Sequence, residues 1–320
     1  MMTKPKIWLL IAVSLILLGA ILFTLVMSAN HWDFFKLNTE HYITNTHIPE
    51  DAFHSITVAT DTADIDFVLS EDGTCKVVCY ESDTESHVIT VEDDTLMIRL
   101  ENRKKWYDYI GFSFEQPKVT VYLPKTEYDT LTINEHTGDI EIPGAFTFTS
   151  MDITSTTGRV KNYASAADSI SIETNTGNIH TENISTGSLS LTVTTGDITA
   201  TAVQCREDVA VRVNTGDALL TDLVCKNLHS TGSTGDLSLR NVIASGQFFI
   251  ERDSGDVNFD GCDAAQITVQ ADTGHVKGSL LSDKIFLAET DTGRVDVPLS
   301  TNGGTCRITT DTGNIIISVQ

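Results

Sequence analysis

The chain is short of prolines and of basic residues, and both shortages narrow the choice of fold and partner. Six prolines stand against 21 glycines in 320 residues, which favours regular structure with repeated tight turns. The 21 lysines and arginines are outnumbered by 44 aspartates and glutamates, giving a formal net charge of -23. Because a surface that negative repels a phosphate backbone, we expect no nucleic-acid partner.

Long hydrophobic runs are confined to the N-terminus. Residues 7–27 are uncharged and match the ~20 apolar residues that a helix needs to span a membrane. Lys4 and Lys6 precede the run, which predicts a cytoplasmic tail (1–6), a single-pass transmembrane helix (7–27) and an extracytoplasmic remainder in the cell membrane. A cleaved signal peptide is the alternative, although its apolar region has only ~7–15 residues. No cysteine stands directly after the run, which excludes a lipoprotein anchor.

A short motif recurs along the C-terminal part of the chain. It consists of Thr or Ser, then glycine, then usually a polar residue, then an aliphatic one. The intervals between the glycines are 19 or 20 residues, and the glycines are Gly138, Gly158, Gly177, Gly196, Gly216, Gly235, Gly255, Gly274, Gly293 and Gly313. A turn that needs φ > 0 would explain the glycine. Such regular self-similarity is typical of repeat architectures.

Apolar residues hold fixed positions around each glycine. They stand seven and five residues before it and two after it, as Val209, Val211 and Ala218 do around Gly216. Spacing by two is the period of a β-strand, and the repeat has no room for a helix or for a propeller blade of ~40 residues. The sequence therefore predicts an all-β fold, a single-stranded parallel β-solenoid (β-helix) of about ten 19–20-residue coils over residues 131–320.

Two further segments separate the membrane helix from the regular repeats. Residues 28–50 are polar and lack periodicity, which predicts a juxtamembrane linker. Residues 51–130 alternate in strands and include a degenerate repeat with Ala63 at the glycine position. We expect this segment to be an N-terminal β region that caps the solenoid.

The repeats resemble those of a bacterial "putative adhesin" family of unknown function. Thr195–Ile198 reads Thr-Gly-Asp-Ile, close variants recur in the other repeats, and Val121–Pro124 matches a Val-x-Leu-Pro-like segment of that family. The resemblance covers roughly residues 53–320 and implies a β-helix, with right-handed coiling. The family has no agreed catalytic motif, so the resemblance assigns no residue a role.

Aspartate follows the glycine in four consecutive repeats, at Asp197, Asp217, Asp236 and Asp256. Stacked at ~4.8 Å, these carboxylates would form a ladder able to hold cations, which makes them candidate metal ligands. The alternative is that each side chain bonds the backbone of its own turn, a role that asparagine fills equally well. Asn178 and Asn314 do occupy this position, which favours the turn role.

A second aspartate column precedes the glycine by two residues, at Asp253, Asp272, Asp291 and Asp311. The last three form Asp-Thr-Gly, a string typical of aspartic proteases. A protease dyad needs two such loops facing each other, whereas stacked coils place these on one edge. We interpret the string as a by-product of the repeat and expect no catalytic residue.

One segment is basic and aromatic within the acidic background, and it comprises Arg103, Lys104, Lys105, Trp106 and Tyr107. Such residues suit a membrane interface or an anionic surface, which makes them a possible contact site. The alternative is a hairpin loop whose aromatics cover the open end of the core.

Cysteine and histidine give weaker signals. Cys205 and Cys225 stand nine residues after their glycines in adjacent repeats, so they are predicted neighbours that could be bridged or free. Histidines occupy different repeat positions and do not collect on one face. We expect no cofactor.

Three functions fit this build. The first is a non-enzymatic, membrane-anchored scaffold or adhesion-type module that binds a cell-wall polymer or a surface protein. The second is a regulatory component of an envelope-stress system. The third is a glycan-active β-helix enzyme, against which the uninterrupted repeats argue, since loops usually carry solenoid function.

Finally, residues 315–319 end the sequence without a polar cap, which predicts a bare edge able to associate end to end with another copy.

Overall fold

A computed structural model describes residues 4–33, 41–82, 84–105 and 115–320. Helix α1 spans Lys4–Ala29. The strands in chain order are β1 Tyr42–His47, β2 Ser55–Thr60, β3 Asp64–Leu69, β4 Lys76–Ser82, β5 Glu85–Glu92, β6 Thr95–Asn102, β7 Lys118–Leu123, β8 Glu127–Thr137, β9 Ile140–Ile142, β10 Thr147–Thr157, β11 Val160–Asn162, β12 Ser165–Thr176, β13 Ile179–Thr195, β14 Ile198–Cys205, β15 Asp208–Thr215, β16 Ala218–Cys225, β17 Asn227–Thr234, β18 Leu237–Ser254, β19 Val257–Thr273, β20 Val276–Leu280, β21 Lys284–Thr292, β22 Val295–Asp296, β23 Gly304–Thr312 and β24 Ile315–Val319.

Helix α1 is long and apolar enough to cross a membrane. Its apolar part, Trp8–Ala29, has a mean hydropathy of 2.9 and is exposed along nearly all of its length, with Met27 buried. A signal sequence near an N-terminus can also be long and apolar enough to meet this description.

The strands form a β-solenoid of about ten turns, which confirms the predicted fold class. Each coil, named here by its glycine, has a first strand before the glycine and a second strand after it. In the Gly216 coil these are β15 and β16, and both pair in parallel with the equivalent strands of the neighbouring coils. The pairing places Leu189, Val209 and Leu228 in one column, as the 19–20-residue spacing predicts.

The predicted apolar columns form the core. Side chains seven and five residues before the glycine and two after it are buried through most of the stack. At 25 cal/mol per Å² of apolar surface, each fully buried Leu, Ile or Val contributes roughly 1.5–3 kcal/mol, so long-range stacking holds the coils together. The Gly293 coil is the exception, because Phe286 and Ala288 are only half-buried and Val295 is 41% exposed.

The Gly293 coil is exposed because it ends the stack, although it is not the last coil in the sequence. β23 and β24 of the Gly313 coil pair on one side with β19 and β20 of the Gly274 coil, and on the other with β21 and β22 of the Gly293 coil. The spatial order is therefore Gly274, Gly313, Gly293. The later coil is inserted between two earlier ones.

This order corrects the prediction for residues 315–319. We expected a bare edge along 315–319, but β24 pairs along its whole length with β20 and, at Ile315 and Ile316, also with β22, and Ile315 and Ile317 are buried. The prediction was wrong because it assumed that coils stack in chain order. End-to-end self-association through 315–319 stays a prediction, because residues 317–319 have a partner strand on one side only.

The degenerate repeat also stacks as a coil. β2 and β3 pair in parallel with β8 and β9 of the Gly138 coil, and on their other side with β6 and β7. Beyond these, β4 and β5 add antiparallel to β7 and β6, and β1 adds antiparallel to β4. The change from parallel to antiparallel pairing ends the solenoid at this side.

Candidate binding surface

The glycine column is explained by close stacking as well as by backbone conformation. Nine of the ten motif glycines have φ between +121° and +159°, and Gly138 lies outside that set. A Cβ at Gly216 would overlap the carbonyl oxygen of Gly196 in the adjacent coil, and the other glycines meet the neighbouring coil in the same way. The turn and the coil spacing therefore both require glycine.

The aspartates after the glycines bond between coils and not within their own turns. Oδ1 of Asp197 accepts a hydrogen bond from the backbone N–H of Asp217 at 2.9 Å, and Oδ1 of Asp217 accepts one from that of Asp236 at 2.8 Å. The ladder continues through Asp256, and Asn178 starts it with the same bond to Asp197 at 2.9 Å. The prediction that each side chain bonds the backbone of its own turn was wrong, because the donor is the backbone N–H of the next coil. Asparagine and aspartate accept this bond equally well, as expected.

The other carboxylate oxygen of each aspartate in this column, Oδ2, faces solvent or a basic side chain. Lys277 contacts Oδ2 of Asp256 at 2.9 Å, and Arg159 contacts that of Asp139 at 2.8 Å. Burial opposes ionisation of both carboxyls, but the backbone bonds and these cations lower their pKa. Within the described residues, no ion pair involves Asp197, Asp217 or Asp236, which are exposed. A cation role for the ladder stays a prediction.

The second aspartate column lies on the surface of the first strands. All four of its members are exposed, and they are Asp253, Asp272, Asp291 and Asp311. They lie on one edge of the stacked coils, the arrangement that we expected when we set aside the protease interpretation.

The outward side of the first strands is a face of mostly polar side chains. We call it the ladder face. Over its first four coils it presents hydroxyl, amide and carboxylate groups in register, from Thr132, Asn134, Asp152, Thr154, Ser171, Glu173, Ser190 and Thr192. Farther along, His229 and Phe249 stack on this face with ring centroids 4.9 Å apart. Their repeat position, six before the glycine, fixes their outward direction.

The chain turns a corner within the second strand of these coils, a feature that we did not predict from the sequence. Six residues after the glycine, φ is +51° to +63° in five consecutive coils, at Asn183, Ala202, Asp222, Asn241 and Gly261. The signal was present in the sequence, because asparagine, aspartate and glycine are the residues that tolerate this conformation. Ala202 is the member that lacks such tolerance.

Two charged groups lie inside the solenoid, three residues before the glycine. Glu135 is 3% exposed and one of its oxygens has no hydrogen-bond partner; burial raises its pKa to about 8. Arg252 is also 3% exposed, and burial lowers its pKa to about 10. One guanidinium nitrogen of Arg252 donates to the Ser230 hydroxyl at 3.0 Å, and Gly232 leaves room for the head group. Neither residue was predicted to be buried.

The N-terminal strands enclose a polar cluster outside the repeats. Glu81 accepts hydrogen bonds from Nδ1 of His87 at 2.8 Å and from the Asn45 amide at 2.6 Å. Nε2 of His87 lies 2.9 Å from the Thr60 hydroxyl. Burial is the main cause that lowers the pKa of His87. One signal in the sequence could have revealed this cluster. Glu81 has the alternation of the inward-facing residues of its strand, and the other inward residues, Val77 and Cys79, are apolar.

The basic and aromatic segment is partly described. Arg103 pairs with Glu101, and Lys104 pairs with Glu85 at 2.8 Å, with the Lys104 side chain 12% exposed. Trp106 and Tyr107 lie outside the described residues. The surface-contact role of this segment stays a prediction.

The cysteine pair is unbridged in this structure. Cys205 and Cys225 are both buried free thiols, and burial raises the pKa of Cys225 to about 12. Beside this column runs an open groove of about 380 Å³, lined by small residues that include Ala166 and Thr186.

The chain was compared with known proteins. A family model described as Toastrack DUF4097 matches residues 53–320. A "putative adhesin" from Bacteroides fragilis is 16% identical with a TM-score of 0.43, covering 88% of this chain and 97% of its own. A "putative lipid binding protein" from Parabacteroides distasonis is 11% identical with a TM-score of 0.40, covering 88% of this chain and 98% of its own. No curated protein matches significantly.

Proposed function

Since the chain belongs to the Toastrack DUF4097 family, we propose that it is a non-enzymatic binding module, anchored in the cell membrane by α1, whose solenoid holds an extended envelope polymer outside the cytoplasm. The main observation that supports this proposal is the ladder face. Over the first four coils its hydroxyl, amide and carboxylate groups lie in register from one coil to the next. Repetition at ~4.8 Å suits a polymer that offers hydrogen-bonding groups along its length.

The stacked rings of His229 and Phe249 give this face an aromatic platform. An aromatic ring supplies large contact area at low entropic cost and packs well on the apolar side of a sugar ring. A polysaccharide of the cell wall therefore fits both the polar ladder and the platform.

The arrangement of the carboxylates supports a non-enzymatic role. Acid–base hydrolysis of a glycan needs two carboxyl groups about 5–9.5 Å apart across a bound bond. In the aspartate ladder, Oδ1 of each of Asp197, Asp217 and Asp236 is committed to a backbone amide of the next coil. These side chains hold the coils in register on a convex turn.

Co-sedimentation of the detergent-solubilised full chain with insoluble cell-wall polymer tests the proposal. We expect the protein to sediment with the polymer and Phe249→Ser to reduce binding at least several-fold. Leu219→Ser, an outward residue of a second strand, is the matched control and should bind like the original chain. Equal binding by all three proteins, or none, would contradict the ladder face as the binding surface.

The topology has a separate test. Protease treatment of intact cells should release solenoid fragments while α1 stays in the membrane. A shed protein with the mass of a chain starting near Ala29 would instead show that α1 is a cleaved signal sequence.

A further inference from the structure

The cluster in the N-terminal strands contains a set of metal-ligating atoms. The Cys79 sulfur, a Glu81 oxygen and a ring nitrogen of His87 all lie within 4.8 Å of one another, and the three residues are buried. Within the described ranges, no other group of three histidine, cysteine or acidic side chains meets this condition. The set belongs neither to the ladder face nor to the aspartate ladder.

His47 is the candidate for a fourth ligand, although it is not one of the residues whose ligand atoms all lie within 4.8 Å of one another. His47 lies on β1, which pairs antiparallel with β4 so that Asn45 is opposite Cys79 and His47 opposite Val77. The inward parity of β1 therefore directs His47 toward the diagonal neighbour Cys79. Nε2 of His47 is buried and has no hydrogen-bond partner. An unpartnered buried nitrogen costs free energy that a metal bond would recover.

The existing hydrogen bonds are those expected around a metal ligand. Nδ1 of His87 faces Glu81 at 2.8 Å, while its Nε2 faces the Thr60 hydroxyl at 2.9 Å. An ion inserted between Nδ1 and the carboxylate would leave Nε2–H to donate to Thr60, as metal-bound histidines usually do toward an outer partner. The backbone N–H of His87 and the Asn45 amide continue to orient Glu81.

We propose that Cys79, Glu81, His87 and His47 form a buried site for one divalent transition-metal ion of the zinc type. One thiolate and one carboxylate balance the ion's double positive charge, so the occupied site is neutral. Sulfur, nitrogen and oxygen donors in a four-ligand set suit tetrahedral Zn²⁺, whereas Ca²⁺ and Mg²⁺ require oxygen donors. On binding, the Cys79 thiol releases its proton to solvent, and the proton on His87 moves from Nδ1 to Nε2.

Titration of the reduced, chelator-treated full chain in detergent with Co²⁺ tests the site. We expect one ion per chain, with a thiolate-to-cobalt charge-transfer band that one equivalent of Zn²⁺ abolishes. Cys79→Ser should remove the band. Cys225→Ser changes a buried cysteine in a middle coil and should leave both band and stoichiometry unchanged.

A near-isosteric change gives a second readout that does not depend on losing a ligand. Thr60→Val keeps all four donors but removes the outer partner of His87, and we expect Zn²⁺ affinity to fall about 10–100-fold. Calorimetric titration measures this. Absence of the band in the original chain, a band that persists in Cys79→Ser, or unchanged affinity in Thr60→Val would each overturn the proposal.

Discussion

The middle coils and the N-terminal end of the solenoid place their charged side chains in opposite ways. In the middle coils, the charged side chains other than Arg252 lie at the surface, and the aspartate ladder bonds the backbone of the next coil. At the N-terminal end, Glu81, His87 and Glu135 are buried. The regular repeat thus obtains its stability from apolar columns and glycine stacking. The end, where pairing becomes antiparallel, encloses buried polar groups, of which a Glu135 oxygen and Nε2 of His47 have no hydrogen-bond partner.

The largest effect should follow from breaking the glycine column in the middle coils. Gly216→Val places a branched side chain at φ +132° and against the Gly196 carbonyl oxygen. We expect a loss of at least about 3 kcal/mol in the free energy of unfolding, because both strain and overlap must be relieved. Asp217→Asn should cost less than about 1 kcal/mol, since an amide oxygen accepts the same bond. Urea unfolding measures both, and equal losses would contradict the stacking role of the glycine.

A pH titration sharpens the comparison at the N-terminal end. The pKa of Glu135 is raised from 4.5 to about 8 in the folded chain, so folding favours the protonated acid. Its contribution to stability is complete below about pH 4.5 and is lost as the pH rises toward 8. Relative to the original chain, Glu135→Gln should therefore gain on the order of 4 kcal/mol between pH 4 and pH 8. Thermal melts across that range check the sign. A difference between the two proteins that does not change with pH would show that the carboxyl is not held protonated.

Arg252 is the exception to the comparison, since it is a charge buried within the middle coils. Replacing an isolated buried ion with an apolar side chain of similar volume is often neutral or stabilising. We expect Arg252→Met to change stability by about 0 to +2 kcal/mol. Ser230→Ala removes the partner and keeps the charge, and it should cost about 1–3 kcal/mol. A large loss in Arg252→Met would mean that the charge itself organises the coils.

The smallest effect concerns the corner column. Ala202 has φ +53°, where a Cβ costs about 1 kcal/mol that glycine avoids. Ala202→Gly should therefore raise the free energy of unfolding by up to about 1 kcal/mol. Ala210→Gly, on the regular part of a strand, should lower it by about 0.5–1 kcal/mol. The same sign for both changes would show that the corner is not strained.

The repeat made much of the fold predictable from the sequence. Positions spaced by two around Gly216 determine which side chains face inward, because strand parity is local and the repeat multiplies the evidence. The stacking order at Gly293 and Gly313 could not be predicted, since both coils present the same apolar columns to any neighbour. Cys79 and His87 lie on non-repeated strands, whose alternation predicts a strand but does not say which strands pair.

The inserted Gly313 coil has a consequence for the order in which the solenoid assembles. During synthesis the Gly293 coil emerges before the coil on which it finally rests. The Gly274 coil meanwhile presents an open surface of the same shape, on which the Gly293 coil can settle in a non-native register. The Gly313 coil must then displace it or arrive first. The coils can therefore stack in chain order up to the Gly274 coil. In the final step, the Gly293 and Gly313 coils compete for the exposed surface of the Gly274 coil. We expect this step to be slow and sensitive to the rate of synthesis.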